Sequence, residues 1–289
     1  MNHHALPIDA NGDTASAVMA SRDAVVVEKP AGFLRSAKMA TPALKMVTCV
    51  TAFSIMLLTA HGQKQESVQL QLHELPKGDA DGFVTIIGGG DDLKVWKGLE
   101  DYWYSRDGIL GGHQTKESSR QTFLVLPFRL RDFELRLKYK FASPQGNSGI
   151  QFRSKILDQQ TYRVGGYQAD IDAAGAYDGS IYDEAGVVGG RGTLSNRGDK
   201  TIWNAENQRH TVKIADSQEL LKAINVGGWN DFKLVAKANH ITYSINGRVM
   251  TELIDQSPNA AREGVLALQL HEGFTMDVQF KDGKVRKLD

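Results

Sequence analysis

The sequence has 289 residues, 41% of them hydrophobic and 24% charged, an ordinary globular composition with ample length to bury a core. Lysine plus arginine and aspartate plus glutamate each total 34, so the basic excess of a protein that holds a polyphosphate backbone is missing. Nucleic acid is therefore not an expected partner.

Residues 1–38 are small, mixed and without a sustained period, whereas Val47 to Ala60 (VTCVTAFSIMLLTA) is uncharged throughout. That run is too short for a bilayer, which needs ~20 apolar residues. It matches a secretory h-region over 47–60, with Lys38 and Lys45 ahead of it and Ala60-His61-Gly62 as a small-x-small cleavage site. Residues 1–62 are expected to be an N-terminal extension and signal peptide, cut before Gln63, and the chain to be secreted or periplasmic and free of the membrane after cleavage. Met39 or Met46 would each begin a signal peptide of normal length. Cys49, the only cysteine, falls in this segment, so disulfides and thiol catalysis are excluded from the mature chain.

From Gln63 onward short alternating runs replace any helical period. Phe133 to Phe141 (FELRLKYKF) alternates apolar with charged, the signature of a strand with one wet face. Ile150 to Arg153, Tyr167 to Asp172, Asp231 to Ala236, His240 to Ile245, Val265 to His271 and Thr275 to Phe280 behave similarly. Turn signals separate them at Ser143 to Gly146, Asn246-Gly247 and Asp282-Gly283, of which Asn246-Gly247 predicts a type I′ hairpin. Asp216 to Ile224 (DSQELLKAI) is the one predicted short helix. Many short strands without intervening helices predict an all-β fold, an antiparallel sandwich or jelly roll, as a single domain over 74–289.

The stretch GYQADIDAAGAYDGSIYDE, residues 166–184, holds five acids and three tyrosines and no lysine, arginine or histidine. Period two places Leu266, Leu268 and Leu270 on the core side and leaves Gln269 and His271 on the other face. The same parity turns Gln151 and Arg153 outward, and it groups Gln168, Asp170 and Asp172, and Tyr182 with Glu184. Exposed sheet faces usually carry Thr, Lys and Glu, so this set of amides, acids, an arginine and a histidine predicts a shared site on a concave face. Acids clustered near one arginine and one histidine can be held at different pKa values and divide acid and base roles. Asp172, Asp178 and Asp183 read more readily as loop-pinning acceptors. Asp170-x-Asp172 resembles a fragment of a calcium loop but lacks the later bidentate glutamate. No cofactor is indicated; a divalent metal held by His113, Asp170, Glu184 or His271 is left open, since spacing gives it no support.

Several stretches together resemble one known family: Asp91 to Trp96, WYSRDGILGG at 103–112, Asp132 to Leu135, NSGIQFR at 147–153, GYQAD at 166–170, Gly179 to Tyr182 and LQLH at 268–271. They are similar to the 3-keto-disaccharide hydrolase domain, associated with 3-keto-glycoside lyase and hydratase activity, over about Gly82 to Leu288. The resemblance implies a concanavalin-A-like jelly roll of two antiparallel sheets and a bacterial exported enzyme acting on an oxidised sugar at the concave face. One departure is Ile86 to Gly90 (IIGGG), where the family's opening strand has a Leu-Phe-Asn-Gly type turn.

A ketone at C3 acidifies the C2 proton, so such an enzyme needs a base, a stabiliser for the enolate oxygen and an acid for the leaving group. Asp170, His271 and Glu184 are the expected catalytic residues. Arg153, Gln168, Tyr182, Gln269 and His113 are the expected substrate-binding ones. Two other readings stay open on the same fold: a non-catalytic, lectin-like carbohydrate-binding domain whose exposed aromatics stack on sugar rings, and an ordinary glycosidase using Asp170 and Glu184.

Overall fold

The structure is a computed structural model that describes residues 70–288. The expected signal segment, its h-region and the cleavage point before Gln63 lie outside the described residues. No helix among the described residues is long and apolar enough to cross a membrane.

Seventeen strands follow one another among these residues. The first eight are β1 (His73–Glu74), β2 (Val84–Ile87), β3 (Trp103–Arg106), β4 (Ile109–Gln114), β5 (Thr122–Leu130), β6 (Phe133–Phe141), β7 (Asn147–Asp158) and β8 (Arg163–Asp172). Next come β9 (Ile181–Glu184), β10 (Thr193–Ser195), β11 (Asp199–Trp203), β12 (Arg209–Lys213), the helix α1 (Ser217–Leu221), and β13 (Asn230–Lys237). The chain closes with β14 (His240–Ile245), β15 (Arg248–Asp255), β16 (Gly264–Leu270) and β17 (Met276–Lys287). Asp216 caps α1, its carboxylate accepting from the N–H groups of Gln218 and Glu219.

Two sheets pack as a jelly-roll sandwich. The smaller has the order β1-β5-β16-β7-β8-β9-β10, and the larger runs β12-β11-β15-β14-β13-β6-β17-β4-β3 with β2 added on β17. Pairing is antiparallel except for β1 with β5 and β11 with β15, which are parallel, so both sheets are mixed where two antiparallel ones were expected. Leu266, Leu268, Leu270, Ile150, Phe152, Tyr167, Ala169 and Ile171 from the smaller sheet meet Leu135, Leu137, Tyr139, Phe232, Leu234, Ile241 and Tyr243 from the larger. Period two thus sends every other residue of β8 and β16 into one core and leaves the alternate set on the opposite face.

Turn chemistry explains the local breaks. Asn246 and Gly247 both have positive φ, 49° and 74°, as a type I′ turn between β14 and β15 requires. Asp282-Gly283 does not end a strand: it is a bulge inside β17, where Asp282 has φ 53° and the register to β6 shifts between Lys281 and Lys284. A second bulge, at Phe152 and Arg153 of β7, faces Leu266 of β16 and moves the register from Ala267↔Gln151 to Val265↔Ser154. It decides which residue of β7 reaches the outer face.

Candidate active site

The outer face of the smaller sheet, turned away from the sandwich core, is divided. At one end Phe123, Val125, Val164, Val265 and Ala267 form a small apolar cluster beneath Leu70, Ile156 and Tyr162. At the other end lies a cleft of about 770 Å³ whose lining includes Gln121, Asn147, Arg163, Gln168, Asp170, Tyr177, Tyr182, Glu184, His271 and Phe274.

Asp170 sits on β8 opposite Gly149 of β7. Because Gly149 has no side chain, Gln168 folds over its backbone; a Cβ there would lie 2.5 Å from the Gln168 Cδ. The Gln168 amide donates from Nε2 to Asp170 Oδ1 at 2.8 Å and accepts at Oε1 from Gln151 Nε2 at 2.6 Å. Burial pushes the Asp170 carboxyl well above the usual carboxylate range; the Gln168 donor opposes that, and the negative charges of Glu184, Asp172 and Asp178 add to it.

Glu184 ends β9 and is held by two more glutamines. Gln121 donates to its Oε1 at 3.1 Å and Gln269 to its Oε2 at 3.3 Å. Burial raises its pKa, while the Gln121 bond, the charges of His271 and Arg163, and the Gln269 bond pull the other way. Every hydrogen-bond partner of these two carboxylates among the described residues is an amide, not a cation. His271 lies one residue beyond β16, half-buried in the lining, with Nδ1 2.8 Å from the Glu272 carbonyl oxygen.

Two expected residues stand elsewhere. Arg153 is not in the cleft. The β7 bulge gives it φ 48°, which reverses its side relative to Gln151, and it is 1% exposed between the sheets. There its guanidinium donates to the Arg131 and Ala238 carbonyl oxygens at 2.7 Å each and pairs with Asp132 at 2.8 Å. It ties loops of the two sheets together. His113 lies on β4 of the larger sheet, exposed, its ring 5.9 Å from that of Tyr104. Parity explains its position: Leu110 and Gly112 take the core side of β4, so His113 faces out on the opposite surface of the molecule.

The loop-pinning acids behave as their spacing suggests. The Asp172 carboxylate accepts from the N–H groups of Ala174, Ala176, Tyr177 and Asp178, and Asp183 from those of Val188 and Arg191. Asp178 accepts from the Tyr139 hydroxyl at 3.0 Å, and its Oδ2 is buried without a partner. Burial and the nearby Asp172 push it up to about 7. Among the described residues no group of three or more His, Cys, Asp or Glu side chains is placed to hold a metal.

Sequence reasoning missed Asn147, Arg163, Tyr177 and Phe274. Asn147 shares the parity of Gln151 and was legible; Tyr177 is in a loop where period two says nothing. Trp103, Trp203 and Tyr167 are buried in the core, whereas Tyr177 and Tyr182, 59% and 38% exposed, are the two aromatics among the exposed large hydrophobic side chains of the described residues, and both line the cleft.

Exposed tyrosines around a floor of amide-held carboxylates make a concave cleft with the few convergent polar groups of a small-ligand site. A family model for the 3-keto-alpha-glucoside-1,2-lyase-like domain matches residues 82–286, and the chain belongs to that family. A search of curated proteins found no match. Among solved structures the chain is similar to a protein provisionally assigned as a glycosyl hydrolase from Parabacteroides distasonis ATCC 8503, at 18% identity and TM-score 0.47, covering 71% of this chain and 99% of that one. It is also similar to the carbohydrate-binding module CBM66 from Bacillus subtilis, at 14% identity and TM-score 0.46, covering 67% and 96%. A Bacillus subtilis protein of unknown function with a galectin-like fold aligns at 11% identity and TM-score 0.48, covering 73% and 97%.

Proposed function

We propose that the protein cleaves 3-keto-glycosides, including 3-keto-disaccharides, by elimination followed by hydration. Asp170 removes the C2 proton made acidic by the C3 ketone, the electron pair moves onto the C3 oxygen, and its return expels the C1 substituent to leave an enone. Water adds at C1, a proton returns to C2, and the product is the free 3-keto sugar. Burial makes Asp170 a stronger base than an exposed aspartate, which suits a weakly acidic carbon. Glu184, whose protonated form burial favours, and His271 beside it supply the proton to the departing oxygen. Arg163 and Asn147 replace Arg153 as the donors available to the enolate oxygen and the sugar hydroxyls.

The observation that carries this reading is the pair Asp170 and Glu184, buried on one face and held by amides alone. Two such carboxylates burden folding stability, a burden that acid–base chemistry explains and plain sugar binding does not. The exposed Tyr177 and Tyr182 favour a second reading, a lectin-like module that stacks sugar rings without cleaving them.

The test is to incubate the purified protein with a 3-keto-glucoside and with its unoxidised parent. Cleavage of the keto compound alone is the expected result. Cleavage of the parent would support a two-carboxylate glycosidase, and binding of either without cleavage the lectin-like module. We also propose that the chain is exported, by the signal segment expected before Gln63. An intact Met1 on the mature protein, read by mass spectrometry, would contradict export.

A further inference from the structure

Behind Asp170 the hydrogen bonds run on in one line. Ser154 Oγ donates to Gln151 Oε1 at 2.8 Å, Gln151 Nε2 to Gln168 Oε1 at 2.6 Å, and Gln168 Nε2 to Asp170 Oδ1 at 2.8 Å. Gln151 is fully buried, and Ser154 and Gln168 are 2% and 3% exposed. Each amide passes on the polarity it receives: an oxygen that accepts on one side forces the NH2 group toward the next residue.

The β7 bulge builds this line. It takes Arg153 off the outer face and puts Ser154 there, opposite Val265. Gly166 and Gly264 make the room, since a Cβ on either would lie 2.5 Å from Ser154 Oγ and 2.4 Å from Ser154 O, respectively. Their φ values of 144° and 159° are also ones that residues with side chains rarely adopt.

We propose that Ser154, Gln151 and Gln168 form a reversible amide relay that positions Asp170 and gives its carboxyl a hydrogen-bond partner in both protonation states. In the carboxylate state the line runs as above, ending with an N–H on Asp170. When Asp170 holds the proton, its O–H needs an acceptor. A half-turn of the Gln168 amide presents Oε1 to it, a half-turn of Gln151 follows, and the Gln151 NH2 then donates to Ser154 Oγ. The serine hydroxyl swings its own hydrogen to the carbonyl oxygen of Phe152 at 3.0 Å or Tyr167 at 3.3 Å. A primary amide is nearly symmetric in shape, so each half-turn exchanges donor for acceptor within one volume. No proton travels along the relay; the one taken from substrate is held on Asp170 and exchanges with water through the open cleft before a proton is returned to C2.

The relay rests on the reading of Asp170 as the base, and it explains why that base faces amides. Other titratable groups facing Asp170 are Asp172 on its own strand, Asp178 in the following loop, Glu184 from β9, and Tyr243, whose hydroxyl donates to the Asp170 carbonyl oxygen at 3.0 Å. Arg163, Tyr182 and His271 share the cleft lining. None of them donates to the Asp170 carboxylate.

Gln151→Leu and Ser154→Ala interrupt the relay without touching Asp170, and Gln168→Leu removes its last link. The relay is tested by the pH profile of kcat/KM on a 3-keto-glucoside and by a carbon-13 titration of the Asp170 carboxyl, its resonance assigned by its loss in Asp170→Asn. Both protonation states lose a partner, but the charge-assisted bond to the carboxylate is about twice as strong as the neutral one to the acid. The midpoint should therefore move up by about one pH unit in Gln168→Leu and by a smaller step, in the same direction, in Gln151→Leu and Ser154→Ala. Melting curves show which variants are folded. A midpoint unmoved in folded Gln151→Leu and Ser154→Ala overturns the relay whatever the activity. A moved midpoint in a protein that cleaves nothing keeps the relay and overturns the enzyme.

Discussion

Glu184 and Gln269 are hydrogen-bonded at 3.3 Å although β7 and β8 lie between their strands in the same sheet. Three strand spacings are ~14 Å in a flat sheet. Two side chains close that gap by rising over the intervening strands of a sheet that curls toward them. The outer face of the smaller sheet is therefore concave, and Asp170, on one of the spanned strands, lines the same cleft as Glu184.

Arg153 holds loops rather than substrate. Arg153→Ala should lower stability by about 3–5 kcal/mol, the cost of breaking a buried pair, and the melting temperature by roughly 10 °C. At a temperature where the variant is folded, KM should match the wild type. A KM that rises with an unchanged melting temperature would return Arg153 to the cleft.

Asp178 predicts a pH signature in stability. Its pKa rises from the ordinary carboxylate value to about 7 in the folded protein, so between pH ~4 and about 7 the folded state binds a proton that the unfolded state has released. The stability this contributes is complete below pH ~4 and is lost as pH rises through 7. Asp178→Asn keeps the Oδ1 acceptor and cannot ionise. Its melting temperature should gain on the wild type by about 5 °C or more between pH 4 and pH 8, and a constant difference across that range would refute the assignment.

Gly149→Ala should displace the Gln168 amide that crosses it. Turnover should fall by about a hundredfold, as expected when a catalytic group is misplaced by an ångström. Circular dichroism should report an unchanged fold. Wild-type turnover in this variant would mean that Gln168 is not needed where it lies.

Tyr177→Ala and Tyr182→Ala should each raise KM by about two- to tenfold, the value of one aromatic stacking contact, with kcat nearly unchanged. Steady-state kinetics separates the two constants. A loss confined to kcat would place these tyrosines among the proton-transfer groups instead.

Much of this was legible in the sequence because period two is a geometric rule. It put β6 and β14 at their observed bounds, and it placed Gln168 and Asp170 on the face opposite Tyr167 and Ala169. The rule fails where the backbone slips. Nothing in NSGIQFRS marks Arg153 as left-handed, a conformation few residues other than glycine adopt, so parity carried it into the cleft. Asp282-Gly283 misled in the opposite sense, since an Asp-Gly pair with Asp282 at positive φ serves a bulge as well as a turn. His113 entered the site by residue type alone, without a parity argument to place it. The crossing of Glu184 to Gln269 was out of reach, because sheet curvature arises from the whole sandwich and not from any one strand.

The central claim, that Asp170 removes the C2 proton of a 3-keto sugar, is tested most directly with a 3-keto-glucoside deuterated at C2. The wild type should release deuterium to water, show a primary isotope effect on cleavage, and lose turnover by about two orders of magnitude or more in Asp170→Asn. Cleavage that leaves deuterium at C2 would contradict the account.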